Sequence, residues 1–169
     1  MPRSETTLAE SVCLALVASG VDYGGAVADL LAPGAEIGRI WTLSRPLTYR
    51  AIDALVAAGR VERSGTAPGR GRERSMLHVT RAGKTFSRSW LVEPVEHLRD
   101  VRTVLLVKFQ LLERMGQSPV PLAMRQQEAF APLIAAITAE PPIDVVGQWR
   151  VEHAQAVDRF LEGVIEASR

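Results

Sequence analysis

The sequence predicts a mainly α-helical protein carrying one small β-hairpin, arranged as a winged helix-turn-helix unit over residues 1–92 and an all-helical unit over residues 93–169. Three observations predict it. Residues 44–59 read as a helix with one inward side and one polar side, and two shorter helical patterns precede it. Two strand-like runs follow at once, separated by a loop rich in glycine and arginine. Helix, helix, helix, strand, loop, strand is the order of a winged helix. From Pro94 the pattern changes to long amphipathic helices.

The first helix starts at a capping box, Thr7-x-x-Glu10, and runs to about Ser19, with Leu8, Val12, Ala15 and Leu16 on its buried face. Gly20 ends it. Asp22 is placed to cap a second helix over 23–32, which Pro33-Gly34 terminates. A connector over 34–43 carries Trp41 and Leu43, expected beneath the next helix. That helix has Ser44 as N-cap, a proline in its first turn where the missing N–H costs nothing, and Gly59 at its end. Thr48, Ala51, Ile52 and Leu55 share its inward side; Tyr49, Arg50 and Asp53 point elsewhere, and Arg45 sits at the open end. Strands are expected over 60–64 and 75–80, with 65–74 too long and glycine-rich for a tight turn. Thr80 caps a fourth helix that includes Trp90.

In the second unit, residues 95–115 place Leu98, Val101, Leu105, Leu112 and Met115 near heptad spacing, with Val104–Val107 apolar all round and Gly116 as the stop. A weaker helix over 121–139 is expected to be interrupted or kinked at Pro132. After Pro141-Pro142, residues 144–167 carry a stripe of Val145, Trp149, His153, Ala156, Phe160 and Val164. Three small elements cannot hide this much apolar surface among themselves, and a second subunit is the simplest cover. Leu98, Val101, Leu105, Leu112, Trp149, His153, Phe160 and Val164 are the candidate dimerisation residues.

Composition removes several function classes. The single cysteine, Cys13, excludes an internal disulfide and a Cys-based zinc cluster, and its apolar neighbours point to a buried small residue. His78, His97 and His153 have no metal-ligand spacing, so no metal or other cofactor is expected. Gly69-x-Gly71 opens like a dinucleotide fingerprint, but Arg74 stands where its third glycine belongs and no strand-then-helix context surrounds it. No nucleophile elbow, phosphate loop or paired-carboxylate site stands out, so the chain is not expected to be an enzyme. Its longest apolar run, Val12–Ala18, is too short to span a bilayer, and the N-terminus lacks a signal pattern; a cytoplasmic protein is the expectation.

The charge is unevenly spread. The formal net charge is +1, yet residues 1–92 hold 12 Lys+Arg against 8 Asp+Glu, residues 93–169 hold 8 against 11, and residues 44–88 hold 10 against 3. A local cationic surface on a near-neutral chain is the footprint of a nucleic-acid binder, and double-stranded DNA is the expected partner. Arg70, Arg72 and Arg74 alternate along the hairpin loop, where they can reach phosphates or the minor groove beside a helix docked in the major groove. The chain has no asparagine, and every glutamine lies beyond residue 109, so the usual bidentate partners of adenine are missing from this half. Base reading falls to Arg45 or Arg50 on guanine and to Leu47 or Thr48 against a thymine methyl; Tyr49 suits a phosphate. Thr48 has a second placement, inside the core. Trp41, Trp90 and Trp149 are core or contact anchors, while Trp90 or Trp149 could alternatively line a pocket for a planar aromatic effector.

Leu43–Leu55, with its Tyr49-Arg50-Ala51-Ile52 core, resembles the recognition-helix signature of PadR-type transcriptional regulators. So do Asp22-Tyr23-Gly24, Gly71-Arg72, Val79-Thr80-Arg81-Ala82-Gly83 and Trp90-Leu91, and the likeness extends across roughly 8–92. Met76-Leu77-His78 departs from the aromatic usual in the second wing strand, and Pro46 replaces a frequent glycine. The resemblance implies a homodimeric winged-helix repressor that binds a palindromic operator and is released by a small, often aromatic, effector. It implies that Tyr49 and Arg50 contact DNA and that the wing arginines contact its backbone. The competing reading is a winged-helix module whose basic face meets an acidic protein.

Overall fold

Leu8–Ala18 form α1, in the computed structural model, because Thr7 caps its first turn: the hydroxyl accepts from the Glu10 N–H at 3.2 Å and donates to the Glu10 carboxylate. The structure describes residues 6–67 and 74–167. They fall into two compact units that divide between Leu91 and Val92.

In the first unit α1 is the hub. Every residue from Ser11 to Val17 is buried, so the helix is covered on all sides rather than on the single face its periodicity suggests. Its neighbours are α2 (Gly24–Leu30), α3 (Arg45–Ala57) and the second hairpin strand. Cys13 sits in this core with its thiol pushed up to about 12 by burial and, secondarily, by Glu10. Asp22 does not cap α2. Its carbonyl accepts from the Leu77 N–H at 2.7 Å, so the N-cap moves to Tyr23, which bridges to Met76. The connector after α2 buries Leu31 and Ile37. Gly38 is obligatory there, because a Cβ would stand 1.7 Å from the Ala32 carbonyl oxygen. Trp41 and Leu43 are half-buried.

Ser44 is the N-cap of α3 in extended conformation, with Pro46 in the first turn. Thr48, Ala51, Ile52 and Leu55 are the buried side. The helix stops at Gly59, whose φ of +67° is left-handed; the Arg60 N–H returns to the Leu55 carbonyl and the Gly59 N–H to Val56, a complete Schellman ending. Strands β1 (Val61–Ala67) and β2 (Arg74–Val79) then pair antiparallel, Val61 opposite Val79, with a bulge at Gly65. Both run deeper into the loop than their side-chain pattern indicates. Helix α4 (Arg81–Val92) begins at Thr80, whose hydroxyl accepts from the Gly83 N–H at 3.0 Å.

The second unit departs most from expectation. Residues 93–97 are not helical: the Val95 N–H donates to Oε1 of the fully buried Gln126 at 2.7 Å and the Val95 carbonyl accepts from its Nε2 at 3.0 Å, so neither joins a helix. Helical backbone starts only at Leu98, as a 3₁₀ turn (Leu98–Asp100) and a π turn (Val101–Leu105) that lead into α5 (Leu106–Arg114). Helices α6 (Val120–Thr138, running through Pro132) and α7 (Val145–Glu166) pack along each other. Asp144 caps α7 by accepting from the Gly147 N–H. Among the described residues no helix is long and apolar enough to cross a membrane.

Lys108 of α5 is 3 % exposed and donates from Nζ to the Glu93 carbonyl at 2.6 Å. Burial lowers its pKa from 10.5 to about 8, partly opposed by the Glu93 charge. Between those two values the unfolded chain holds the extra proton, so unfolding free energy rises with pH through this window. Relative to Lys108→Met, the wild type is expected to gain up to about 3 kcal/mol between pH 8 and 10.5, read by chemical denaturation. A pH-independent difference between the two proteins would contradict it.

Candidate nucleic-acid interface

Because α3 turns Thr48, Ala51, Ile52 and Leu55 inward, its remaining side chains share one exposed side. Ser44, Arg45, Tyr49 and Arg50 are exposed, and Leu47 stands 45 % exposed in spite of its apolar side chain. Thr48 is corrected: it is fully buried, its hydroxyl donates to the Ser44 carbonyl at 3.1 Å, and it cannot touch a base. Arg50 carries no ion pair among the described residues. Arg45 does carry one, to Asp29 on α2.

Tyr49 owes its position to a glycine. Its ring lies so close to the start of α2 that a Cβ on Gly24 would be 2.7 Å from ring atom Cε1. The ring is thereby laid against α2 while 43 % of the residue stays exposed. Sequence reasoning assigned Gly24 to a resemblance; the signal for its role is the requirement for close approach.

The hairpin is fastened to α3 and α4 at its base. Arg60 lies with its guanidinium 3.8 Å over the Phe86 ring and also donates to the Thr6 hydroxyl. Gly83 is packed on the Arg60 carbonyl so closely that a Cβ would be 2.1 Å from its oxygen. Arg60 is thus structural. Arg63 of β1 pairs with Asp53 of α3, a contact that sequence reasoning missed because it joins residues on different elements. Of the wing arginines, Arg70 and Arg72 lie outside the described residues, and Arg74 begins β2.

The other candidates are distributed over the second unit and α4. Trp90 is half-buried on α4, whereas Trp149 on α7 is 68 % exposed and stacks on His153 with ring centroids 5.7 Å apart. The two described cavities, about 1050 and 390 Å³, are lined by α6, α7 and their connection and contain neither tryptophan. Val101, Leu105 and Leu112 are covered by their own chain, which corrects their assignment to a subunit contact; Leu98 is half-buried. On α7 the buried stripe is Ala154, Val157 and Leu161, one step round from the expected one. Val145 and Val146 are exposed, His153 and Val164 are half-buried, and Phe160 is 38 % exposed beside Phe109.

These features define a winged-helix fold followed by a helical unit. The same fold is found in PadR of Bacillus subtilis, solved in complex with operator DNA: the TM-score is 0.50 at 16 % identity, over 95 % of this chain and 99 % of that one. Smu.1604c from Streptococcus mutans UA159 aligns at a TM-score of 0.44 and 15 % identity, over 95 % and 98 %. The likeness to PadR shows that the chain has the PadR-type winged-helix fold. No protein-family model and no curated protein matches its sequence.

Replacing Gly24 by alanine is expected to push the Tyr49 ring off α2 and to leave the fold intact. The checks are Tyr49 ring resonances in NMR, which shift, and the melting temperature, which changes by only a few degrees. Unmoved ring signals would contradict the packing described.

Proposed function

We propose that the chain is a DNA-binding transcriptional regulator of the PadR kind, a repressor that acts as a homodimer on an inverted-repeat operator. The observation that carries this reading is the exposed side of α3. Arg45, Leu47, Tyr49 and Arg50 stand together in solvent on a helix whose other side is core, and an arginine-rich hairpin follows directly. Arg45 and Arg50 address guanine edges, Leu47 a thymine methyl, and Ser44 and Tyr49 phosphates, while Arg70, Arg72 and Arg74 supply backbone affinity. A docked helix with flanking cationic groups serves a duplex better than an acidic protein surface, which needs no such alternation of hydrogen-bonding and apolar tips.

The second copy is proposed to cover the start of α7. Ile143, Val145, Val146 and Trp149 are 99 %, 79 %, 62 % and 68 % exposed, four large apolar side chains within seven positions of chain that a second copy would cover. Two-fold pairing then sets the two copies of α3 into successive major grooves, about 34 Å apart. A planar aromatic effector bound near Trp90 or Trp149 is the proposed release signal.

Two outcomes are expected. Changing Arg70, Arg72 and Arg74 together to alanine flattens the slope of log K against log salt by about 0.9 per lost contact, measured by fluorescence anisotropy on duplex DNA. An unchanged slope removes the wing from the contact. Trp149→Glu converts a dimer to a monomer in sedimentation and abolishes two-fold operator protection; a dimer that persists moves the subunit contact elsewhere.

A further inference from the structure

Among the described residues, two ion pairs involve α3. Arg45, at its first position, holds Asp29 of α2 through Nη2 to Oδ1 at 2.5 Å, with side chains 58 % and 65 % exposed. Asp53, two turns further along, holds Arg63 of β1, again with both side chains exposed. Stability does not account for either pair, since exposed pairs contribute about 0–1 kcal/mol. Affinity does not account for them either. A carboxylate facing a duplex opposes every phosphate nearby, and an arginine already neutralised displaces fewer counterions.

What the two pairs do accomplish is geometric. Asp29 reaches the first turn of α3 from the preceding helix, and Asp53 reaches from α3 to the hairpin. Each fixes the direction of one guanidinium that would otherwise sweep a wide arc on its long side chain. Arg50, unpaired among the described residues, is the contrast: its charge is open to any phosphate. We infer that Asp29 and Asp53 are specificity-determining positioning residues, acting through Arg45 and Arg63 to restrain indiscriminate phosphate binding. Resting on the proposal that α3 reads DNA, the inference adds a discriminating role for acids on a cationic face. A random duplex meets two arginines already engaged. A cognate duplex offers contacts in the directions the carboxylates impose.

The test uses the full chain with Asp29→Asn and Asp53→Asn, a short duplex of random sequence, and the sequence the wild type itself enriches from a random pool. Each variant is expected to bind random duplex with a salt slope steeper by about 0.9, the signature of one added phosphate contact. The ratio of cognate to random affinity falls. In Arg45→Ala and Arg63→Ala backgrounds the corresponding Asn change should have no effect on slope or ratio, because the acid acts through its arginine. Glu62→Gln, an exposed hairpin carboxylate, measures the bare effect of losing one negative charge. A gain that persists without the arginine, or that Glu62→Gln reproduces, overturns the inference, as does a lowered unfolding midpoint with an unchanged slope. Specific binding by the wild type with unaltered Asn variants overturns this inference alone. A wild type that binds no duplex overturns the DNA reading and this inference with it.

Discussion

Thr48, Ala51, Ile52 and Leu55 commit one side of α3 to the core that surrounds α1, and the direction of every polar group on α3 follows from that commitment. Ile52 and Leu55 are 1 % and 0 % exposed, each buried at a gain of about 1.5–3 kcal/mol. Turning α3 by one residue would expose Leu55 and drive the Tyr49 hydroxyl and the Asp53 carboxylate inward without partners, a cost of several kcal/mol. The helix therefore has one stable rotation. Thr48 tolerates the core because its hydroxyl is satisfied on its own helix.

A second set of contacts fixes what stands beside that helix. The Schellman ending at Gly59 turns the chain straight into β1, and Thr80, hydrogen-bonded to the Gly59 and Arg60 carbonyls while capping α4, closes the base of the hairpin. Arg60 is spent on Phe86 and Thr6, whereas Arg45 and Arg63 stay exposed with their directions set by Asp29 and Asp53. Cationic residues in this region thus divide into those that build the unit and those left exposed. Counting charges along the sequence cannot make that division.

Local chemistry was legible where it acts within a few residues. The Thr7 cap, the Gly59 ending, the inward side of α3 and the Thr80 cap all depend on spacing of three to five positions, and each is where the sequence puts it, whereas Ser44 holds the N-cap position without a side-chain capping bond. Long-range competition was not legible. Asp22 looks like a cap, but Leu77, 55 positions away, claims its carbonyl. Residues 95–97 look helical, but Gln126 claims both polar groups of Val95. The stripe on α7 was offset for a related reason: two apolar sides compete, and α6 covers Ala154, Val157 and Leu161 in preference to Val145 and Trp149. At the candidate site, exposure of Arg45, Tyr49 and Arg50 was readable, whereas the Asp29 and Asp53 partners and the Gly24 seat under Tyr49 join different elements and leave no local spacing signal.

The proposed DNA reading requires α3 to be held so that its exposed side meets a duplex in two symmetric places. Selection of duplexes from a random pool by the full-length protein tests that most directly. Enrichment of one inverted repeat is expected, its half-sites centred about one helical turn apart, with guanines at the positions nearest Arg45 and Arg50. Recovery of a pool with no common sequence, at salt concentrations where duplex is retained, would contradict it.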